Sequence, residues 1–138
     1  MIPSWLILSF IVMLFFALGS FFGKLALLRD TSYRVYFFEA VGTLTVFATF
    51  VLLNRERIFE GFTINYWGLL MGLSWGIGTV IFIYVLAVGK VSIIVPFTAL
   101  YPAITVLLAV IFLNESLGPR ETLGIILAIV AGMLLAKE

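Results

Sequence analysis

Long apolar stretches joined by short polar segments organise this chain. Ile2 to Gly23 carries no charge and is closed by Lys24; Val35 to Leu53 is interrupted only by Glu39. Tyr66 to Val88, Val91 to Leu113 and Pro119 to Ala136 complete the set, and only Arg120 and Glu121, near the start of the last, are charged. Read as helices at about 1.5 Å per residue, the fourth stretch reaches roughly 35 Å, enough to cross a bilayer core of about 30 Å. The pattern predicts an all-α integral membrane protein of five transmembrane helices, over 2–23, 35–53, 66–88, 91–113 and 119–136, in one domain covering 1–138. Pro3 suits the opening turn of the first helix. The fifth is shortest, and Arg120 and Lys137 can snorkel from its ends. Ala17-Leu18-Gly19 has the look of a signal-peptidase site, but the segment lacks a basic start and its apolar run is too long, so a retained helix is expected.

The joints sharpen the picture. Lys24 to Arg34 and Asn54 to Asn65 are the longest expected connections, and Gly89-Lys90 joins spans three and four as a tight hairpin. Asn114 to Pro119 reads as a turn, with Asn and Gly suited to a helix end and Pro to a helix start. Five spans put the termini on opposite sides. One side gathers five of the eight Lys and Arg residues (Lys24, Arg29, Arg34, Lys90 and Lys137), and the other holds Arg55, Arg57 and Arg120. The bias places the C-terminus in the cytoplasm, weakly enough that insertion in both orientations is allowed.

The fourth span is unusual in holding two prolines six residues apart, Pro96 and Pro102. Each removes a backbone hydrogen bond, freeing the carbonyls of Ser92 and Thr98, so a bent helix is expected. Thr98, Tyr101, Pro102 and Thr105 fall on one face. Carbonyls freed beside hydroxyls either bind ions or polar ligands, as broken helices do, or are healed locally.

Composition narrows the chemistry. The chain is 64% hydrophobic and 11% charged with 14 Phe, and its mean hydropathy is +1.27, outside the range of soluble domains. A net charge of +1 argues against a nucleic-acid partner. With neither cysteine nor histidine, disulfides, thiolate metal sites and the commonest general base are excluded. An enzyme is the weakest reading, since no constellation for acid–base or metal work is left, and no cofactor or metal is expected.

A few residues stand out. Glu39 lies about 6 Å into the second helix and shares a small, polar face with Gly42, Thr43, Val46 and Thr49, expected to point into the bundle. It is either a proton or cation carrier or the partner of Lys24, Arg29 or Arg34. Lys24, one turn after Ser20, is a helix-end anchor or a contact for an anionic substrate group. Trp75 and Tyr84 are candidates to meet substrate or to anchor and pack. Gly68, Gly72 and Gly76, like Gly124, Ala128, Gly132 and Ala136, recur every four residues and should let helices approach within a bundle or dimer. Glu115 suggests a cap or loop role.

An ordered set of motifs runs through the last three spans: Ala87-Val88-Gly89-Lys90-Val91-Ser92, Pro96, Tyr101-Pro102, Phe112-Leu113-Asn114-Glu115-Ser116-Leu117, then Gly124 and Gly132. This set resembles the drug/metabolite transporter superfamily, specifically its EamA-type domain, over roughly Tyr66 to Ala136 and more loosely before that. The resemblance implies one half of an inverted-repeat transporter fold. Most such proteins carry two five-helix domains, so a one-domain chain implies a homodimer, possibly antiparallel. The expected function is alternating-access transport of small metabolites or drug-like solutes, in a prokaryotic inner membrane. Few charges in the spans favour an uncharged, amphipathic or zwitterionic solute. The competing readings are a lipid-linked substrate flippase and a non-transporting subunit of a larger membrane complex.

Overall fold

The computed structural model describes residues 3–135, and the described residues are helical with no strand. Expectations resting on Ile2, Ala136 and Lys137 lie outside the described residues. The helices are α1 (Ser4–Leu27), α2 (Ser32–Phe59), α3 (Tyr66–Val88), α4 (Val91–Thr98), α5 (Tyr101–Phe112) and α6 (Pro119–Leu135). Four stretches are long and apolar enough to cross a membrane: α1, α2, α3, and Val91–Phe112, in which α4 and α5 are the two halves. α6, with 17 residues, reaches about 26 Å, just under the hydrocarbon thickness. This is an all-α integral membrane protein.

The chain divides into two compact units, Met1–Val88 and Gly89–Glu138, and the Gly89-Lys90 joint falls at their boundary. In the first unit each pair among α1, α2 and α3 is in contact. Its buried residues, among those described, are Val35 near the start of α2 and Ile83 and Leu86 in the last turns of α3; Leu86 is wholly enclosed. Gly23 packs beside it: a Cβ there would sit 3.4 Å from the Leu86 side chain. The core therefore lies at the end of the unit where α1 finishes, α2 begins and α3 finishes.

Two expected connections are shorter than the hydropathy pattern implied. α1 runs past Lys24 to Leu27, and α2 begins at Ser32, where Asp30 accepts the Thr31 N–H (2.7 Å) and pairs with Arg34 (3.5 Å). At its other end α2 continues to Phe59 instead of stopping at Leu53. Asn54 (φ −122°, ψ 19°) breaks the helix there, and its side-chain amide donates to the Phe50 carbonyl at 2.9 Å. Arg55, Glu56 and Arg57 are good helix formers, so losing apolar character does not end the helix. Asn65 caps α3 by accepting the Gly68 N–H at 3.0 Å.

In the second unit α6 contacts both α4 and α5. Asn114 adopts the left-handed conformation (φ 54°), and the Glu115 N–H returns to the Ala109 carbonyl (3.3 Å), so Glu115 serves the turn through its backbone. Pro119 starts α6, as expected. Gly132 is buried, and a Cβ placed on it would overlap the side chain of Leu100.

Candidate functional site

The fourth span is not merely bent but discontinuous. α4 ends at Thr98, Ala99 and Leu100 form a turn, and α5 starts at Tyr101 with Pro102 in its first positions. Pro102 has no N–H for the Thr98 carbonyl. The Ala103 N–H goes to Leu100 (2.9 Å) and so leaves the Ala99 carbonyl without its usual helical donor. Pro96 likewise withholds a donor from Ser92 inside α4. The two threonine hydroxyls of this face do not turn to these freed carbonyls. Thr98 donates backwards to Ile94 (2.8 Å) and Val95 (3.1 Å), and Thr105 to Tyr101 (3.3 Å).

Beside this discontinuity lies a groove of about 220 Å³. Ala99, Leu100, Pro102, Ala103 and Val106 form one wall, and Glu121, Gly124, Ile125 and Ala128 the other. The space beside Gly124 is open, since a Cβ there would meet nothing within 4 Å. Gly124 and Ala128 line this groove, whereas Gly132 is the member of that stripe in tight contact with Leu100 before α5. Glu121 was not evident in the sequence as more than a helix-start acid. Its place three residues after Gly118 was the available signal, but its position in the groove depends on the α5–α6 packing.

In the first unit Glu39 is exposed and accepts a hydrogen bond from Thr43 at 3.0 Å. Thr45, Thr49, Ser74 and Thr79 all return their hydroxyls to the carbonyl four residues back. Thr43 departs from that habit and serves the carboxylate instead. Among the described residues Glu39 forms no ion pair, and Arg34 pairs with Asp30. The face expected to point inward is open: Gly42, Thr43, Val46 and Thr49 are all exposed, because the buried contact of α2 is made by Val35 near its start.

Lys24 is half-buried and its ammonium donates to the Leu86 carbonyl at 2.8 Å. That carbonyl belongs to the last turn of α3, where helical donors run out and a cation is favoured. Trp75 and Tyr84 pack on aromatic partners. The Trp75 ring lies 6.5 Å from Phe16, and Tyr84 meets Tyr33 edge-on at 5.8 Å. These partners could not be paired from sequence, since they depend on how α1 and α2 lie on α3. Gly72 and Gly76 have no neighbour within 4 Å of a would-be Cβ, and Gly68 meets only its own cap, Asn65.

Among the described residues no group of three or more acidic side chains could hold a metal ion. The model of the EamA-like transporter family matches residues 3–136. An uncharacterized protein of Methanocaldococcus jannaschii is 30% identical over 132 residues, 95% of this chain and 95% of its own length. No solved structure gives a significant match. The matched family is one of membrane transporters, not of enzymes. Long apolar spans, the broken fourth span and the family match over nearly every residue agree: the chain belongs to the EamA-like transporter family.

Proposed function

We propose that the protein moves a small metabolite or drug-like solute across a prokaryotic cell membrane by alternating access, as a homodimer of five-helix subunits. The observation that carries this reading is the discontinuity at Ala99–Leu100, with the carbonyls of Thr98 and Ala99 deprived of helical donors inside an apolar span. Non-helical backbone at membrane depth is tolerated where it is covered by protein or lines a water-filled cavity. It is also the usual means by which transporters present polar backbone to a solute.

Two observations support the homodimer. The relative in Methanocaldococcus jannaschii is matched over 95% of its own length, so that protein is itself of single-repeat size. The Gly72–Gly76 stripe of α3 and the Glu39–Thr43 face of α2 are both open, and a carboxylate facing hydrocarbon is costly unless protein or water covers it. Lys24, Glu39, Trp75, Tyr84, Thr98, Tyr101 and Thr105 remain the residues proposed to serve substrate or coupling ion. Lys24, Trp75 and Tyr84 do so beside a packing role.

The test is flux through the purified chain alone. Proteoliposomes are incubated with a defined mixture of amino acids, organic cations and neutral metabolites, and their contents are read by mass spectrometry. Enrichment of a solute over protein-free liposomes, reduced by Pro102→Ala, is expected. No enrichment from either side of the membrane refutes the reading and leaves a non-transporting subunit. A C-terminal reporter read in both compartments tests the antiparallel dimer, which requires comparable signal on both sides.

A further inference from the structure

We propose that the concave break in α2 at Asn54 binds the headgroup of an anionic phospholipid, with its phosphate at Arg55 and Arg57 and its acyl chains along the apolar end of the helix. The break leaves a cavity of about 370 Å³, lined by Leu52, Leu53, Asn54, Arg55, Glu56 and Arg57. Among the described residues neither guanidinium has a hydrogen-bond or ion-pair partner, although Glu56 stands between them in sequence. Two arginines and one glutamate leave the wall with a net charge of +1, which complements a headgroup carrying one negative charge. Glu60 lies past that wall. A phosphate suits the guanidiniums, and a headgroup hydroxyl can donate to Glu56. Phosphatidylglycerol offers both, whereas the choline of a zwitterionic lipid has no proton to give.

Depth selects a lipid over a soluble anion. From Val35 to Leu53 the helix rises about 28 Å, against roughly 30 Å of hydrocarbon, so Asn54 falls at the headgroup layer. Tyr66 and Trp67 open α3 on the same side and are exposed, as residues of an interfacial aromatic belt are. Past the break Phe59 and Phe62 are exposed too, and their rings pack at 5.8 Å across the turn at Gly61 (φ 58°). Arginines beside exposed rings are the composition of a segment that lies in the interface plane. Charges that only fix orientation need neither a cavity nor these rings. The inference does not depend on transport, since lipid binding is read without flux.

The experiment is native mass spectrometry of the full chain in mild detergent, titrated with phosphatidylglycerol or phosphatidylcholine of identical acyl chains. A saturable phosphatidylglycerol site is expected, tighter than phosphatidylcholine by about fivefold or more, the scale of one net charge at a bilayer surface. Arg55→Gln with Arg57→Gln makes the wall net negative and should abolish or reverse that preference. Arg29→Gln with Arg120→Gln removes as much charge elsewhere and should leave it intact. Asn54→Ala favours a continuous helix and should weaken phosphatidylglycerol binding while both arginines stay. Equal affinity for the two lipids, equal loss in both double variants, or unchanged binding by Asn54→Ala overturns the proposal. Displacement of the lipid by soluble glycerol phosphate does so as well, since the acyl chains would then contribute nothing. Helix content and elution volume establish that each variant folds. If the Arg55 and Arg57 double variant does not, the single variants decide: the proposal requires each to weaken phosphatidylglycerol binding.

Discussion

Replacing Gly132 by alanine is a small change with a large expected effect. A Cβ at this position would overlap the Leu100 side chain instead of merely touching it, and the conflict reaches Cγ as well as a terminal methyl. Leu100 cannot escape by rotating one methyl; the whole side chain or the turn at the helix break must shift. Forcing a methyl into a close-packed contact costs about 1–3 kcal/mol. Lipid is as apolar as leucine, so little hydrophobic gain offsets that cost, and packing decides the outcome. Leu100→Ala alone should cost about 1–2 kcal/mol, below the range for a fully buried leucine because Leu100 is only half-buried. The double variant should be less destabilised than the sum of the two, since trimming Leu100 vacates the volume that the new methyl needs. Reversible unfolding in mild detergent, followed by helical circular dichroism, gives all three values. Gly132→Ala within about 0.5 kcal/mol of the parent, or strict additivity in the double variant, would refute the close approach.

Further outcomes follow from the other contacts. Lys24→Met should cost about 1.5–3 kcal/mol in the same unfolding assay by uncapping the Leu86 carbonyl, with Lys24→Arg losing less. Asn114→Val should destabilise by about 1–2 kcal/mol, because a β-branched residue resists the left-handed turn, whereas Asn114→Gly should be neutral or better. Pro102→Ala restores a donor for the Thr98 carbonyl. It should raise the unfolding midpoint while lowering solute flux, and a rise in both would disconnect the break from transport. Glu39→Gln should keep the fold, since its amide oxygen can still accept from Thr43. Loss of pH-dependent uptake in that variant would assign the coupling role, and wild-type behaviour would remove it.

The spans were legible because charge-free runs of membrane length have few other readings, and the break was legible because Pro96 and Pro102 stand so close together. Helix ends were harder. Lys24 marks where charge returns, yet the helix continues to Leu27 because the lysine finds a carbonyl on α3 and need not reach water. The Arg55–Arg57 segment hid its helicity for a related reason: hydropathy reports solvent preference, whereas these residues keep good helical propensity. The Thr43–Glu39 bond follows from four-residue spacing and could be read from one helix. The groove could not, since its walls sit on two helices whose packing the sequence does not give.

The break at Asn54 has a mechanical consequence. As one straight rod, the 28 residues of α2 would be about 42 Å long, well over the roughly 30 Å of hydrocarbon. Such a rod must tilt steeply or drag Arg55 and Arg57 out of the headgroup layer whenever the bilayer thickens or thins. A joint at the point where apolar character ends allows the short charged piece to swing while the long apolar piece keeps its angle. Changes in bilayer thickness are then absorbed at Asn54, before they can tilt the packed end of the helix around Val35.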